Sequence, residues 1–316
     1  MKNSKLYLSI LVALALLMVA VPPGRAQAPD REPMFLEIND LVTASGKGDV
    51  LIRLRLKKKR YKLTAVSMGV RLTPKAITSN KFCEKIAIAN AHNVVTYDVW
   101  NGRIDVIEHE SFGEIADVQY DWDCNLIIAD MGQSAVGHSP RDGHLWLYTP
   151  EGELIEIGWR HKWSNPAFLD MDEWGTLYVV DKEAGPKIPG SGGWHYDAIY
   201  KLGAPKYTAA IKKFGKRGLD VSSFVHHPSG KFFIGNQDEL LILEDDELSS
   251  PCGGATFDRI NGLALNSDLQ VFLLDGFDIF GGSTLYGVDE KCNLTPIEDG
   301  RKLQGSQGLT AGLPGR

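Results

Sequence analysis

The stretch Ala116-Asp117-Val118-Gln119-Tyr120-Asp121-Trp122-Asp123-Cys124-Asn125-Leu126-Ile127-Ile128-Ala129-Asp130 is a small entry residue, a short apolar run, a polar turn, a second and more apolar run, and a closing acid. The same fifteen-residue pattern returns without a gap at residues 167–181 (AFLDMDEWGTLYVVD), 222–236 (SSFVHHPSGKFFIGN) and 261–275 (NGLALNSDLQVFLLD). Residues 75–90 (KAITSNKFCEKIAIAN) fit with one extra position, and Gln307-Gly308-Leu309-Thr310-Ala311 matches only the opening of the unit.

A repeat at a period of tens of residues signals a solenoid, a propeller or an array. The closing residues Asn90, Asp130, Asp181, Asn236 and Asp275 lie 40, 51, 55 and 39 positions apart, the length of one four-stranded propeller blade. The second run of each unit (NLIIAD, TLYVVD, KFFIGN, QVFLLD) is nearly continuous apolar sequence, as expected of a strand covered on both faces. Two further strands fit between repeats. After Asp130 they are residues 144–148 and 153–157 around a Pro-Glu-Gly turn, and after Asn90 they are residues 93–97 and 103–107 around Asn101-Gly102, a strong hairpin signal.

Residues 34–70 hold three strand candidates (34–38, 49–54 and 61–66) but no inner strand. The orphan segment starting at Gln307 supplies one. Pairing it into the first blade closes the ring and removes exposed sheet edges. The sequence therefore predicts an all-β, six-bladed propeller closed by its C-terminal segment.

Residues 1–28 carry Lys2 and Lys5, an apolar run over residues 6–21, and then Ala26-Gln27-Ala28. This is the layout of a cleaved secretory signal, and the run is short for a membrane span. A retained anchor is the alternative reading. Cleavage after Ala28 leaves residues 29–316 as a single domain, 48 residues per blade, and moves the formal charge from −6 to −9. That balance argues against nucleic acid or an anionic membrane as partner. The expectation is a secreted or periplasmic monomer with no stable membrane span. The basic run at residues 53–62 (RLRLKKKRYK) reads as a strand with one solvated face followed by an exposed turn.

Four cysteines in an exported chain point to disulfides. Cys83 and Cys124 occupy equivalent first turns of successive blades, and Cys252 and Cys292 the third-to-fourth-strand region of successive blades, which predicts Cys83 with Cys124 and Cys252 with Cys292. Free, partly buried thiols are the alternative.

The units at residues 116–130 and 167–181 resemble NHL repeats, and Ile260-Asn261-Gly262-Leu263-Ala264 resembles the asparagine-glycine-leucine strand start of the senescence marker protein and gluconolactonase family. Both groups are six-bladed propellers. In the gluconolactonase-like enzymes a divalent cation sits at the top of the central channel, held by such an Asn and by carboxylates at other strand starts. The resemblance thus implies Asn261 as a ligand for calcium or zinc. The same column elsewhere reads Ala76, Ala116, Ala167, Ser222 and Gln307, with acids only nearby at Asp117, Glu114 and Asp220, which under-supplies a hard cation with charge.

Repetition in every blade is what a scaffold does, and a site breaks the symmetry. The loops from second to third strand differ most: residues 131–143 and 182–197 are long, residues 276–282 form a third, and blade five has only Gln237 and Asp238. Long loops on a rigid frame are where function concentrates. They carry His138, Arg141, Asp142, Lys187, Trp194, His195, Tyr196, Phe277, Asp278 and Phe280, with His144 at the base of its strand. The expected ligand-binding set is His138, Arg141, His144, Trp194, His195, Tyr196, Asn261, Phe277 and Asp278, on the face where the inner strands start; for each histidine a solvated loop residue is the alternative. His226-His227-Pro228 falls on the opposite face and reads as turn chemistry. No GxSxG, HExxH or phosphate loop is present. Two functions follow: an exported propeller binding a small polar ligand or a protein partner on its loop-rich face, or a metal-dependent, gluconolactonase-like hydrolase acting on a small lactone or ester.

Overall fold

The computed structural model describes residues 34, 36, 40–57, 60–80, 82–132, 142–191, 193–252, 257–266, 268–276, 282–289, 292–298, 303 and 306–311. The chain divides into Met1–Arg31 and Glu32–Arg316, and the described residues belong to the second unit. The expected signal at residues 1–28 lies outside them. Among the described residues no helix is long and apolar enough to cross a membrane.

The strands, numbered in chain order, form six four-stranded antiparallel sheets. Blade two is β4 (Pro74–Asn80), β5 (Lys85–Asn90), β6 (Asn93–Asp98) and β7 (Ile104–Ile107). Blade three is β8 (Ile115–Tyr120), β9 (Leu126–Asp130), β10 (His144–Tyr148) and β11 (Leu154–Ile157). Blade four is β12 (Asn165–Met171), β13 (Leu177–Lys182), β14 (Ala198–Leu202) and β15 (Ala210–Phe214). Blade five is β16 (Ser223–His226), β17 (Phe232–Asn236), β18 (Glu239–Glu244) and β19 (Glu247–Ser249). Blade six is β20 (Ile260–Leu265), β21 (Val271–Asp275), β22 (Thr284–Val288) and β23 (Leu294–Glu298).

Blade one is the composite. β1 (Leu41–Ser45), β2 (Val50–Lys57) and β3 (Arg60–Ser67) are joined on the inner edge by β24 (Ser306–Ala311), with Leu41 opposite Ala311 and Ser45 opposite Ser306. Its first strand is Leu41–Ser45, a correction to the expected 34–38; Met34 and Leu36 are outside any strand. The signal was hidden because LVTAS is polar in part yet buried throughout. Thr43 is tolerated there because its hydroxyl donates to the Gly308 carbonyl of the closing strand at 2.7 Å. The described residues of the basic run, 53–57 and 60–62, lie on β2 and β3, and Arg55 pairs with buried Asp40 at 2.7 Å.

The core lies between blades rather than within them. Blades one and two share Val42, Leu51, Ile86, Ile88 and Tyr97, while blades six and one share Phe272, Leu274, Leu41, Leu54 and Leu309. The other four seams are filled in the same way. This is why the second strands are apolar on both sides: all five residues of β9 are buried.

The column of closing Asp and Asn residues fastens each blade to the segment that leads into it. Asp130 accepts N–H groups of Gly113 and Gly132, Asp181 those of Ser164 and Asn165, Asn236 that of Asp220, and Asp275 those of Asp258 and Arg259. Asp181, Asn236 and Asp275 bond to the loop that precedes the inner strand, whereas Asn90 also donates to Asn93 and Asp130 also accepts from Gly132, both in the segment that follows. Both expected disulfides are formed, Cys83–Cys124 and Cys252–Cys292, with Cα separations of 5.5 and 5.0 Å. Disulfides persist in an oxidising environment.

Candidate functional site

A cavity of about 450 Å³ runs along the propeller axis, lined by inner strands of blades two to six and by β24. It extends from Lys75 and Asn261 at the strand starts to Asn80, Trp122, Glu173, Pro228 and Leu269 at the first turns. Its wall is uneven for a reason written in the repeat. At the second position of the unit, blades six and one carry Gly262 and Gly308. A Cβ on Gly262 would stand 2.8 Å from the Leu309 nitrogen, and one on Gly308 2.9 Å from the Ala76 Cα, so the inner strands of blades six, one and two touch backbone to backbone. Gly308 also has φ +66°. The asparagine-glycine-leucine start is thus a packing requirement between β20 and β24.

On the other side side chains bridge the inner strands. Asp117 accepts N–H groups from its neighbour Val118 and, across the seam, from Leu169 of blade four, each at 2.7 Å. Asp170 repeats the device two positions further along its strand, accepting from Met171 at 2.8 Å and from His226 of blade five. Burial pushes the Asp117 carboxyl up to about 8 and that of Asp170 to about 7, against the pull of the backbone N–H groups; Asp170 adds like-charge repulsion to Asp117, and Asp172 to Asp170. Burial lowers the His226 pKa, and its ring stacks on Tyr178 at 5.0 Å. Between blades two and three the link is neutral, Thr78 donating to Gln119 at 2.9 Å.

Tyr120 contributes to the cavity lining, while its hydroxyl is buried away from solvent with no hydrogen-bond partner among the described residues. At the turn end Phe82 and Trp122, 53% and 48% exposed, meet edge to face with centroids 6.0 Å apart. The Cys83–Cys124 bridge ties their two turns together.

Of the residues singled out from the sequence, Asn261 lines this cavity; His144, Trp194, His195 and Tyr196 do not. His144 Nδ1 lies 2.8 Å from Glu156 Oε1 within its own blade, and its ring stacks on Trp146. Trp194, His195 and Tyr196 belong to a small hairpin in which Gly185 N–H donates to the Tyr196 carbonyl, Ile188 N–H to that of Trp194, and His195 Nδ1 lies 2.9 Å from the Gly185 carbonyl. Asp142 is half-buried, and Lys187 forms an isolated bridge opposite His195. His138, Arg141, Phe277, Asp278 and Phe280 lie outside the described residues.

His226 corrects the turn reading: it ends β16 and lines the cavity. His227 is turn chemistry, its Nδ1 2.7 Å from Ser229 Oγ. Asp170, Gln119, Phe82 and Trp122 were also passed over. The repeat alignment could have found Asp170 and Gln119, because its second and fourth positions differ from blade to blade (Ile77, Asp117, Phe168, Ser223, Gly262, Gly308; Ser79, Gln119, Asp170, Val225, Ala264, Thr310).

The residues present do not fit a divalent cation at Asn261. Its amide donates to the Gly276 carbonyl, and the three nearby acids are engaged elsewhere: Glu114 with Lys75 at 2.8 Å, Asp220 with Lys182 at 3.2 Å, and Asp117 with backbone N–H groups. Among the described residues no three His, Cys, Asp or Glu side chains are grouped to hold a metal ion.

Neither a protein-family model nor a curated protein sequence matches the chain. Solved structures do. A streptogramin B lyase aligns over 90% of this chain and 88% of its own, with a TM-score of 0.57 at 9% identity. A protein of unknown function from Bacteroides caccae aligns over 87% and 98%, with a TM-score of 0.58 at 11% identity. A catalytically inactive variant of virginiamycin B lyase from Staphylococcus aureus, solved with quinupristin, aligns over 84% and 87%, with a TM-score of 0.55 at 8% identity. At these identities the likeness establishes the propeller fold and leaves the chemistry to the site.

Proposed function

We propose that this chain is an exported binding protein that holds a small amphipathic ligand in its axial cavity. One observation carries the reading: the residues lining the axial cavity break the sixfold repeat, combining carboxylates and aromatic side chains with apolar strand residues. Enclosed apolar volume with a few convergent polar groups is the usual make-up of a small-molecule site. In the described part of the 182–197 loop, the Gly185, Ile188 and Tyr196 N–H groups and His195 Nδ1 are engaged within the loop's own hairpin.

Ligand-dependent thermal stabilisation tests this. A screen of small amphipathic compounds is run on the wild type, on Thr310→Trp, which fills the channel from the half-buried Thr310, and on Trp194→Ala with His195→Ala. The expected result is stabilisation of the wild type and the loop variant and none of the filled variant. Stabilisation that survives Thr310→Trp but disappears in the loop variant moves the site to the loops, and no stabilisation by any compound removes the reading.

A further inference from the structure

Charge in the cavity is lopsided. Asp117, Asp170, Asp172 and Glu173 line it, all from blades three and four. The lining has one lysine, Lys75, and its charge is matched by Glu114 at 2.8 Å. The lining imidazole, His226, is kept neutral by its burial. An anionic ligand therefore finds no free positive group among the described lining residues.

The acids retain capacity. Each oxygen of Asp117 and of Asp170 accepts one backbone N–H and keeps a further lone pair for a donor in the cavity. Asp172 is more fully used, accepting N–H groups of Trp174 and Thr176 and the Tyr178 hydroxyl. At the turn end Phe82, Trp122, Pro228 and Leu269 supply apolar surface beside Asn80, Glu173 and Asn266. An aromatic face next to a carboxylate wall is the environment in which a cation is bound with its hydrocarbon part attached. A bare metal ion is a poor match for a space of about 450 Å³ whose carboxylates are already tied to backbone N–H groups.

We propose that the ligand is an organic cation, an ammonium or guanidinium group on an apolar body, its charge against Asp117 and Asp170 and its body against Phe82 and Trp122. This rests on the ligand-binding reading above and names the ligand class. The bound charge favours the ionised forms of Asp117 and Asp170. Its capture near neutral pH is accompanied by proton release from the acids that burial has kept protonated, Asp117 and Asp170. The other ionisable groups facing them are Tyr178, His226, Glu173 and the Lys75–Glu114 pair.

Isothermal titration of the full-length exported chain with three probes of one shape decides it: phenethylammonium, phenethyl alcohol and hydrocinnamate. The ammonium binds about tenfold or more tightly than the alcohol, hydrocinnamate binds weakest, and repeating the ammonium titration in buffers of different ionisation enthalpy shows net proton release at pH 7. Asp170→Asn reduces ammonium affinity and leaves that of the alcohol unchanged. Glu173→Gln, in a partly exposed turn, gives the same pattern more weakly and serves should the first variant fail to fold. Equal affinity for ammonium and alcohol, or an ammonium preference untouched in both variants, overturns the cation class while the cavity site stands. Failure of all three probes to bind the wild type removes both readings.

Discussion

Replacing Gly308 by alanine forces the closing strand away from blade two. The new Cβ would lie 2.9 Å from both the Ala76 Cα and the Ile77 nitrogen and 3.1 Å from the Ala76 carbonyl carbon. All three are backbone atoms of a sheet-bound strand, so the neighbour cannot rotate aside. Overpacking of this kind costs about 1–3 kcal/mol, and a left-handed φ adds about 1–2 kcal/mol for an L-residue. The two together give a loss of about 2–5 kcal/mol. Gly190→Ala isolates the second effect, because Gly190 has φ +76° and nothing within 4 Å of its Cβ position. Urea unfolding followed by tryptophan fluorescence, disulfides intact, measures both. The expected order is a larger loss for Gly308→Ala by about 1–3 kcal/mol, with hydrogen exchange accelerated at the inner edge of β1. Equal losses in the two variants would refute the claim that β24 is wedged between β20 and β4.

Asp130→Ala removes the acceptor of the Gly113 and Gly132 N–H groups and of the Trp146 indole; stranding buried donors at about 1–3 kcal/mol each predicts a loss of several kcal/mol by urea unfolding, against a much smaller one for Asn236→Ala, whose cap is more exposed. Replacing Cys83 and Cys124 by serine frees a loop of sequence separation 41 and lowers stability by about 3–4 kcal/mol in the same assay. The pH dependence has a definite sign. Asp117 titrates near 8 in the folded chain against an ordinary 3.8, so the folded state holds the extra proton and stability falls as pH rises from about 4 to about 8. Asp117→Asn flattens that slope, and a slope identical to wild type places the proton elsewhere.

The propeller was legible because its determinants are local and repeated. Period, apolar second strands and turn residues all recur, and the orphan residues 307–311 announce where the ring closes. The disulfides followed from equivalent positions in successive blades. What failed was the strand at residues 41–45, whose burial depends on a partner more than 260 residues away. The axial cavity was harder to read, because loop length draws attention to the loop-rich face, whereas the channel wall is made by residues that look like ordinary strand sequence. Asp117 and Asp170 become special only when β12 and β16 are set beside their strands and burial acts on the carboxyls. His226 became a lining residue because β16 extends to it before the turn begins.

A crystal structure with the tightest-binding compound from the thermal screen tests the location of the site without intermediaries. Ligand density on the axis, between Asp170 and Trp122, is the predicted result. Density confined to the hairpin of Trp194, His195 and Tyr196, with the channel unchanged, would contradict it.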